Sequence, residues 1–251
     1  PADPSVHPDA EERCDDVDSN CDGRTNDALD CTFLAHDSDT TYAVDPFART
    51  VRVLGDIDTT DSGGLLDVDR DVDGKLLAVT SSGVWEILPG GDLRIVASVT
   101  APTRTNGMAI TDEGVLFLTN DDGADSAAWR VERSAGTAGT VVRVGGFSAG
   151  LVSSGDCVFT KDGNLLMSAK DPDAPTADDV LVLIDQATGA TTLRGSLGHP
   201  RVFGLSDAFG RLFGVTRAGE VLEIDPATGA STVRFTTDPP VAFAGAANGG
   251  L

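Results

Sequence analysis

The chain has 251 residues, enough for one or two domains with a sizeable core, and carries 40 acidic against 18 basic side chains, a formal net charge of −22. Such a surface repels nucleic acid and anionic membranes, and both are excluded as partners. No apolar run reaches the roughly 18 residues of a helical membrane span, so membrane insertion is excluded as well; the chain opens on Pro1 rather than methionine, and we read it as a processed, exported protein.

The first 30 residues hold ten acidic and two basic side chains and almost nothing apolar. Burial alone cannot offset the entropy of ordering such a segment, so it stays disordered or folds around something positive. The spacing favours the second course. In "DSNCDG", Asp18, Asn20 and Asp22 stand at positions 1, 3 and 5 of a loop whose sixth residue is Gly23, the order of an EF-hand-type calcium loop. Position 7 offers the carbonyl of Arg24, and Asn26 or Asp27 supplies the next oxygen. Position 12, where a bidentate glutamate is expected, is Leu29, so Asp27, Asp30 or Glu12 folding back from upstream must replace it. Calcium is therefore the expected ion, ahead of zinc or copper. The soft donors His7, Cys14, Cys21 and His36 are present, but C-x6-C is not a short zinc knuckle and suits a disulfide equally well. Four cysteines allow three full pairings. A disulfide is expected among Cys14, Cys21 and Cys31, with a buried free thiol at Cys157 in an apolar strand pattern, as in an oxidising compartment.

"ADPSVHPDAEERCDDVDSNCDGRTND" followed by "LDC" resembles the metal-binding repeat of large secreted bacterial proteins, common in myxobacteria and their relatives. The match is carried by Asp3, Pro4, Pro8, Ala10, Glu12, Cys14, Asp15, Asp18, Cys21, Asp22 and Gly23, and covers about the first 30 residues. The resemblance implies an exported protein, oxidised cysteines and a bound divalent cation, calcium by its oxygen donors. The aspartates and cysteine that open the family motif are not in this chain, which implies one cysteine left unpaired. Asp16 stands where the family has glycine.

From residue 31 the text changes. "LLDVDRDVDGKLLAVTSSGVWEI" from Leu65, "TNGMAITDEGVLFLTNDDGADSAAWRV" from Thr105, "SGDCVFTKDGNLLMSAKDPDAPTADDVLVLID" from Ser154 and "VFGLSDAFGRLFGVTRAGEVLEID" from Val202 share one grammar. A short apolar strand, a glycine turn, a β-rich strand, a polar loop, a third strand, a second glycine turn such as "PGGD", "SAGTAG", "DQATGA" or "DPATGA", and a fourth strand follow in order. Units of about 40 to 50 residues with four strands each are propeller blades. The first unit, from "CTFLAHD", has only three strands, and "VAFAGAANGG" at the other end is an orphan first strand. The expectation is an all-β, five-bladed β-propeller over 31–251, closed by pairing of the N- and C-terminal strands, after a metal-binding segment over 1–30. Six blades would follow if "DIDTTDSGGLL" hid a strand; a β-sandwich is the other arrangement, against which the regular repeat argues.

Loops that lead into the innermost strands crowd one mouth of a propeller channel, a concave site that ligands favour. There the sequence places Asp67, Asn106 and Asp156 as candidates for a second metal or a hydroxylated ligand, unless they only satisfy backbone donors or channel waters. Acids in the loops between second and third strands, Asp37, Asp39, Asp121, Asp122, Asp125, Asp171, Asp173, Asp178 and Asp179, surround that mouth. "NGMAITDEGVLFLTND" resembles a strand of the calcium-dependent sugar-lactone hydrolases, which implies a metal-binding role for Asn106 alone; that family has six blades and uses a glutamate, and no glutamate begins an inner strand here. His7, His36 and His199 form no nucleophile and base pair, and Tyr42, Trp85 and Trp129 fall in third strands as packing between blades. The reading is an exported, calcium-binding, monomeric propeller that binds a protein or carbohydrate ligand at the channel mouth, with a calcium-dependent hydrolase of a sugar or lactone as the alternative.

Overall fold

The computed structural model describes residues 4–98, 104–134 and 137–250; the centre of the "SAGTAG" turn lies outside them. Residues 4–32 form turns and bends without helix or strand, tied by a disulfide between Cys14 and Cys31 (S–S 2.02 Å). Cys21 is an exposed free thiol and Cys157 a buried one.

The rest is a ring of five four-stranded antiparallel sheets among the described residues. Blade I takes β1 (Phe33–His36), β2 (Thr40–Asp45) and β3 (Thr50–Asp56). Blade II is β4 (Asp67–Arg70), β5 (Leu76–Val79), β6 (Gly83–Ile87) and β7 (Leu93–Ser98). Blade III is β8 (Thr105–Ile110), β9 (Leu116–Asn120), β10 (Ala127–Ser134) and β11 (Thr137–Gly146). Blade IV is β12 (Val152–Phe159), β13 (Leu165–Lys170), β14 (Val180–Ile184) and β15 (Thr191–Ser196). Blade V is β16 (Val202–Ala208), β17 (Arg211–Thr216), β18 (Glu220–Ile224) and β19 (Ser231–Thr236). The last strand, β20 (Gly245–Gly250), returns to blade I as its innermost strand, in the order β20-β1-β2-β3. Phe33 pairs with Gly250 and His36 with Gly245, so the two ends of the chain close the ring, as the complementary sequence ends require.

Burial follows strand depth. Every residue of β12 is buried, whereas the outermost strands β3 and β15 are mostly exposed. Five apolar clusters lie one at each junction between neighbouring blades: Leu77 with Met108 and Leu118 between II and III, Phe117 with Phe159 and Met167 between III and IV, Val158 with Leu205 and Leu222 between IV and V, Phe33 with Phe213 between V and I, and Leu34 with Val68 between I and II. Trp129 packs against the first of these. Blade-to-blade packing also relies on paired glycines. Gly189, in the "ATGA" turn of blade IV, sits at φ +73 with its missing Cβ only 2.3 Å from the Gly145 carbonyl oxygen of β11; a Cβ on Gly145 would lie 1.8 Å from the Thr188 carbonyl oxygen. Only glycine on both sides permits that approach.

Candidate functional site

The N-terminal loop turns its oxygens onto its own backbone. Asp18 accepts from the Asp22 and Gly23 amides (3.2 and 2.8 Å), Asn20 Oδ1 from the Asp22 amide (2.9 Å) and Asp22 from the Arg24 amide (2.9 Å). Gly23 makes the sharp turn at φ +92. Glu12 spans the loop, one carboxylate oxygen accepting from the Asn20 amide (2.9 Å) and the other from the Asn26 amide (3.0 Å). Asp27 keeps a buried oxygen, Oδ1, without a hydrogen-bond partner. Clustered hard oxygens and one orphaned carboxylate oxygen suit a hard cation. The soft set does not assemble, because Cys14 is consumed in the disulfide and His7 faces the Pro8 carbonyl oxygen (2.8 Å). No group of three His, Cys, Asp or Glu side chains stands at metal-ligating spacing among the described residues, so amide and carbonyl oxygens would have to complete any shell.

Asp16, in the glycine position of the motif, clips this segment to the ring. Its carboxylate accepts from Arg234 (2.5 Å) and Arg211 (3.1 Å), both of which also hold Glu223 and lie over the ring of Phe47 at 5.7 and 5.5 Å. The Arg234 guanidinium holds the Asp16 carboxyl below its ordinary range.

The sequence set Asp67, Asn106 and Asp156 at the channel mouth; the structure separates them by depth. Asp67 and Asp156 are wholly buried in the channel wall. Asp67 accepts from the amides of Val68 (2.8 Å) and, across the blade junction, Met108 (2.7 Å). Asp156 accepts from the amide of Leu205 in the next blade (2.5 Å), leaving its Oδ1 unpartnered. Burial pushes both carboxyls well above the usual range, and the Asp156 charge raises Asp67 further. Beside them His36, also wholly buried, directs Nδ1 at the Asp37 carbonyl oxygen (2.5 Å) and Nε2 at Asp67 Oδ1, 3.9 Å away. Burial lowers its pKa to about 4, so it is neutral and forms no ion pair there. Gly245 makes room for this contact: a Cβ would lie 2.3 Å from His36 Nε2 and 2.6 Å from Asp67 Oδ1.

Two members of this inner ring escaped the sequence reading. Asp69 accepts from the amides of Arg70 (2.8 Å), Ile110 (2.8 Å) and Asn248 (3.0 Å), and Asn248 in turn accepts from Asp207 and donates to the Phe159 carbonyl oxygen. The signal for Asp69 was its two-residue spacing from Asp67, which puts both on one face of β4.

Asn106 does reach the mouth. It lines a cavity of about 540 Å3 together with Asp37, Ser154, Phe203 and Arg217, donating its amide to the Ser153 carbonyl oxygen (3.2 Å) while its own Oδ1 is buried without a partner. Among the flanking acids, Asp37 is tied by Tyr42 Oη (2.8 Å) and the amides of Asp39 and Thr40. Asp121 pairs with Lys170 (2.8 Å), and Asp179 accepts from Ser154 (2.6 Å) and the Val202 amide (2.8 Å). His199 is a loop residue whose Nδ1 lies 3.1 Å from Glu220.

Residues 2–27 match the family model described as "Putative metal-binding motif", named Cu-binding MopE. No curated protein matches the chain. Solved structures do: a nidogen/laminin complex, at 14% identity, covers 86% of this chain and 84% of that one with a TM-score of 0.57. A gluconolactonase from Xanthomonas campestris (17% identity, 86% and 74% covered, TM-score 0.54) and a protein of unknown function from Bacteroides caccae (14%, 82% and 73%, 0.51) are similar too. At such identities the likeness is one of fold. The chain is thus a five-bladed β-propeller led by a segment that matches a metal-binding motif.

Proposed function

We propose that the protein is an exported, calcium-binding propeller that serves as a binding module, with calcium ordering the N-terminal segment and a protein or carbohydrate ligand seated at the channel mouth. The observation that carries this reading is the division of labour among polar groups. The inner carboxyls are engaged by backbone amides and sealed from solvent, while an open cavity above them is lined by side chains of mixed chemistry, Asn106, Phe203 and Arg217 among them. In the segment, Asp18, Asn20, Asp22, the Arg24 carbonyl, Asp27 and Glu12 are the oxygens that would hold the ion. The disulfide and the motif support export.

Calorimetric titration of chelator-stripped protein with calcium tests the metal. Saturation is expected to raise the melting temperature, because an ion that binds only the folded form stabilises it, and Asp18→Asn with Asp22→Asn should abolish both the heat and the shift. An unchanged melting temperature at millimolar calcium refutes a structural ion. A glycan array tests the mouth. The orphaned Asn106 Oδ1 favours one second reading, a calcium-dependent hydrolase of a sugar or lactone; lactone turnover that is lost in Asn106→Ala would establish it.

A further inference from the structure

The N-terminal segment is fastened to the ring at two points that belong to different blades. The disulfide joins Cys14 to Cys31, a buried residue two places ahead of β1, so one end is tied covalently to blade I. Two residues past Cys14, Asp16 reaches Arg211 on β17 and Arg234 on β19, both of blade V. Those arginines already straddle the seam between blades V and I. Arg234 Nε donates to the Pro46 carbonyl oxygen of blade I (3.3 Å), and both guanidinia lie over the ring of Phe47. Phe47 in turn packs edge-on against Phe209 and Phe213 of blade V, with ring centroids 5.9 and 6.0 Å away. The loop of oxygens at 18–27 lies inside the stretch that the disulfide closes, and hydrogen bonds run from it to the residues beside Asp16. Asn26 Oδ1 accepts from the Asp15 amide (3.1 Å), and the Asn26 amide donates to Glu12 (3.0 Å). Asp18, the first of the loop oxygens, stands two residues beyond Asp16. Asp16 is thus braced on both sides by the loop, while its own carboxylate is engaged by blade V.

Resting on the calcium-binding reading, we propose that residues 14–31 form a calcium-set strap across the seam between blades V and I: an ion in the loop fixes Asp16 for Arg211 and Arg234, and docking on those arginines tightens the loop on its ion. By linkage the two effects are equal in size. An exposed ionic network contributes on the order of 1 kcal/mol, which bounds the coupling at about fivefold in calcium affinity. Charge alone makes a different pattern. Without a strap, Asp16 would draw calcium to the loop by its charge and the two arginines would repel it.

Titration of chelator-stripped protein with calcium chloride at low ionic strength, followed by calorimetry, separates the two. Asp16→Ala changes an exposed residue and is expected to bind calcium about three- to fivefold more weakly on either account. The arginines decide. Arg211→Gln and Arg234→Gln each remove a cation, so charge alone predicts tighter calcium binding, whereas the strap predicts binding about twofold or more weaker. Because both arginines act through Asp16, adding Asp16→Ala to Arg211→Gln should bring no more than the loss of Asp16→Ala alone. Arg211→Gln leaves Arg234 its bonds to Glu223 and Pro46, so the seam keeps a bridge if Arg234→Gln fails to fold. Tighter or unchanged calcium binding in Arg211→Gln, unchanged binding in Asp16→Ala, or a fully additive loss in the combined variant overturns the strap and leaves the calcium reading standing. No heat of calcium binding in the native chain overturns both.

Discussion

Asp69 collects amide donors from three blades: Asn248 from blade I, Arg70 from its own, and Ile110 from blade III. Burial raises its pKa to about 6, and Asp179 at the blade IV–V junction is raised to about 6 by the same cause. A raised carboxyl binds its proton in the folded chain before the unfolded chain does, so each adds stability as pH falls from above 6 towards 4. His36 works against them: with a folded pKa of about 4 against an ordinary 6.5, it loses stability as pH falls through that interval. Asp69, Asp179 and the raised Asp67 outnumber that one imidazole. In calcium-free buffer the melting temperature is therefore expected to be higher at pH 5 than at pH 7.5, measured by circular dichroism; a monotonic fall would contradict the burial assigned to these carboxyls. Asp69→Ala should flatten that rise and, by orphaning up to three amides, destabilise the ring at pH 7.5 by roughly 2–4 kcal/mol.

At the scale of the strand, the paired glycines make a sharper claim than the hydrophobic pattern does. The Gly145–Gly189 contact recurs one blade on, where a Cβ on Gly195 of β15 would stand 2.0 Å from the Thr228 carbonyl oxygen in the "ATGA" turn of blade V. Gly195→Ala therefore forces two backbones apart and is expected to cost roughly 2–4 kcal/mol, read as a lower urea midpoint, whereas Gly163→Ala, with open space around its Cβ position, carries only local strain at φ +75. The strands themselves were legible: four-part repeats, "TGA" turns and complementary ends favoured five closed blades over six or a sandwich, and five are what the structure has. Depth was not. A period of two says which residues share a face but not how far that face lies from solvent, so Asp67, Asp156 and Asn106 looked equivalent. Only their neighbours distinguish a pin in the wall from a group at the opening.

For the molecule as a whole, the formal charge of −22 means that the N-terminal segment and the ring repel each other at long range. Asp16 overcomes this locally by entering the Arg211, Arg234 and Glu223 network over Phe47. Such exposed networks contribute on the order of 1 kcal/mol and weaken with salt. Asp16→Ala should leave the melting of the ring nearly unchanged while making residues 15–30 several-fold more susceptible to limited proteolysis, and 0.5 M salt should mimic the variant. Equal cleavage of both proteins would mean that the disulfide alone holds the segment down.

Because β20 is the axial strand of blade I, that sheet lacks its inner edge until residues 245–250 have followed blades II to V out of the ribosome. Blades II to V can pair strand by strand during synthesis, but the circle has no latch before then. The ring therefore stays open while blades II to V form, and a chain cut before β20 is left with an uncovered sheet edge on blade I.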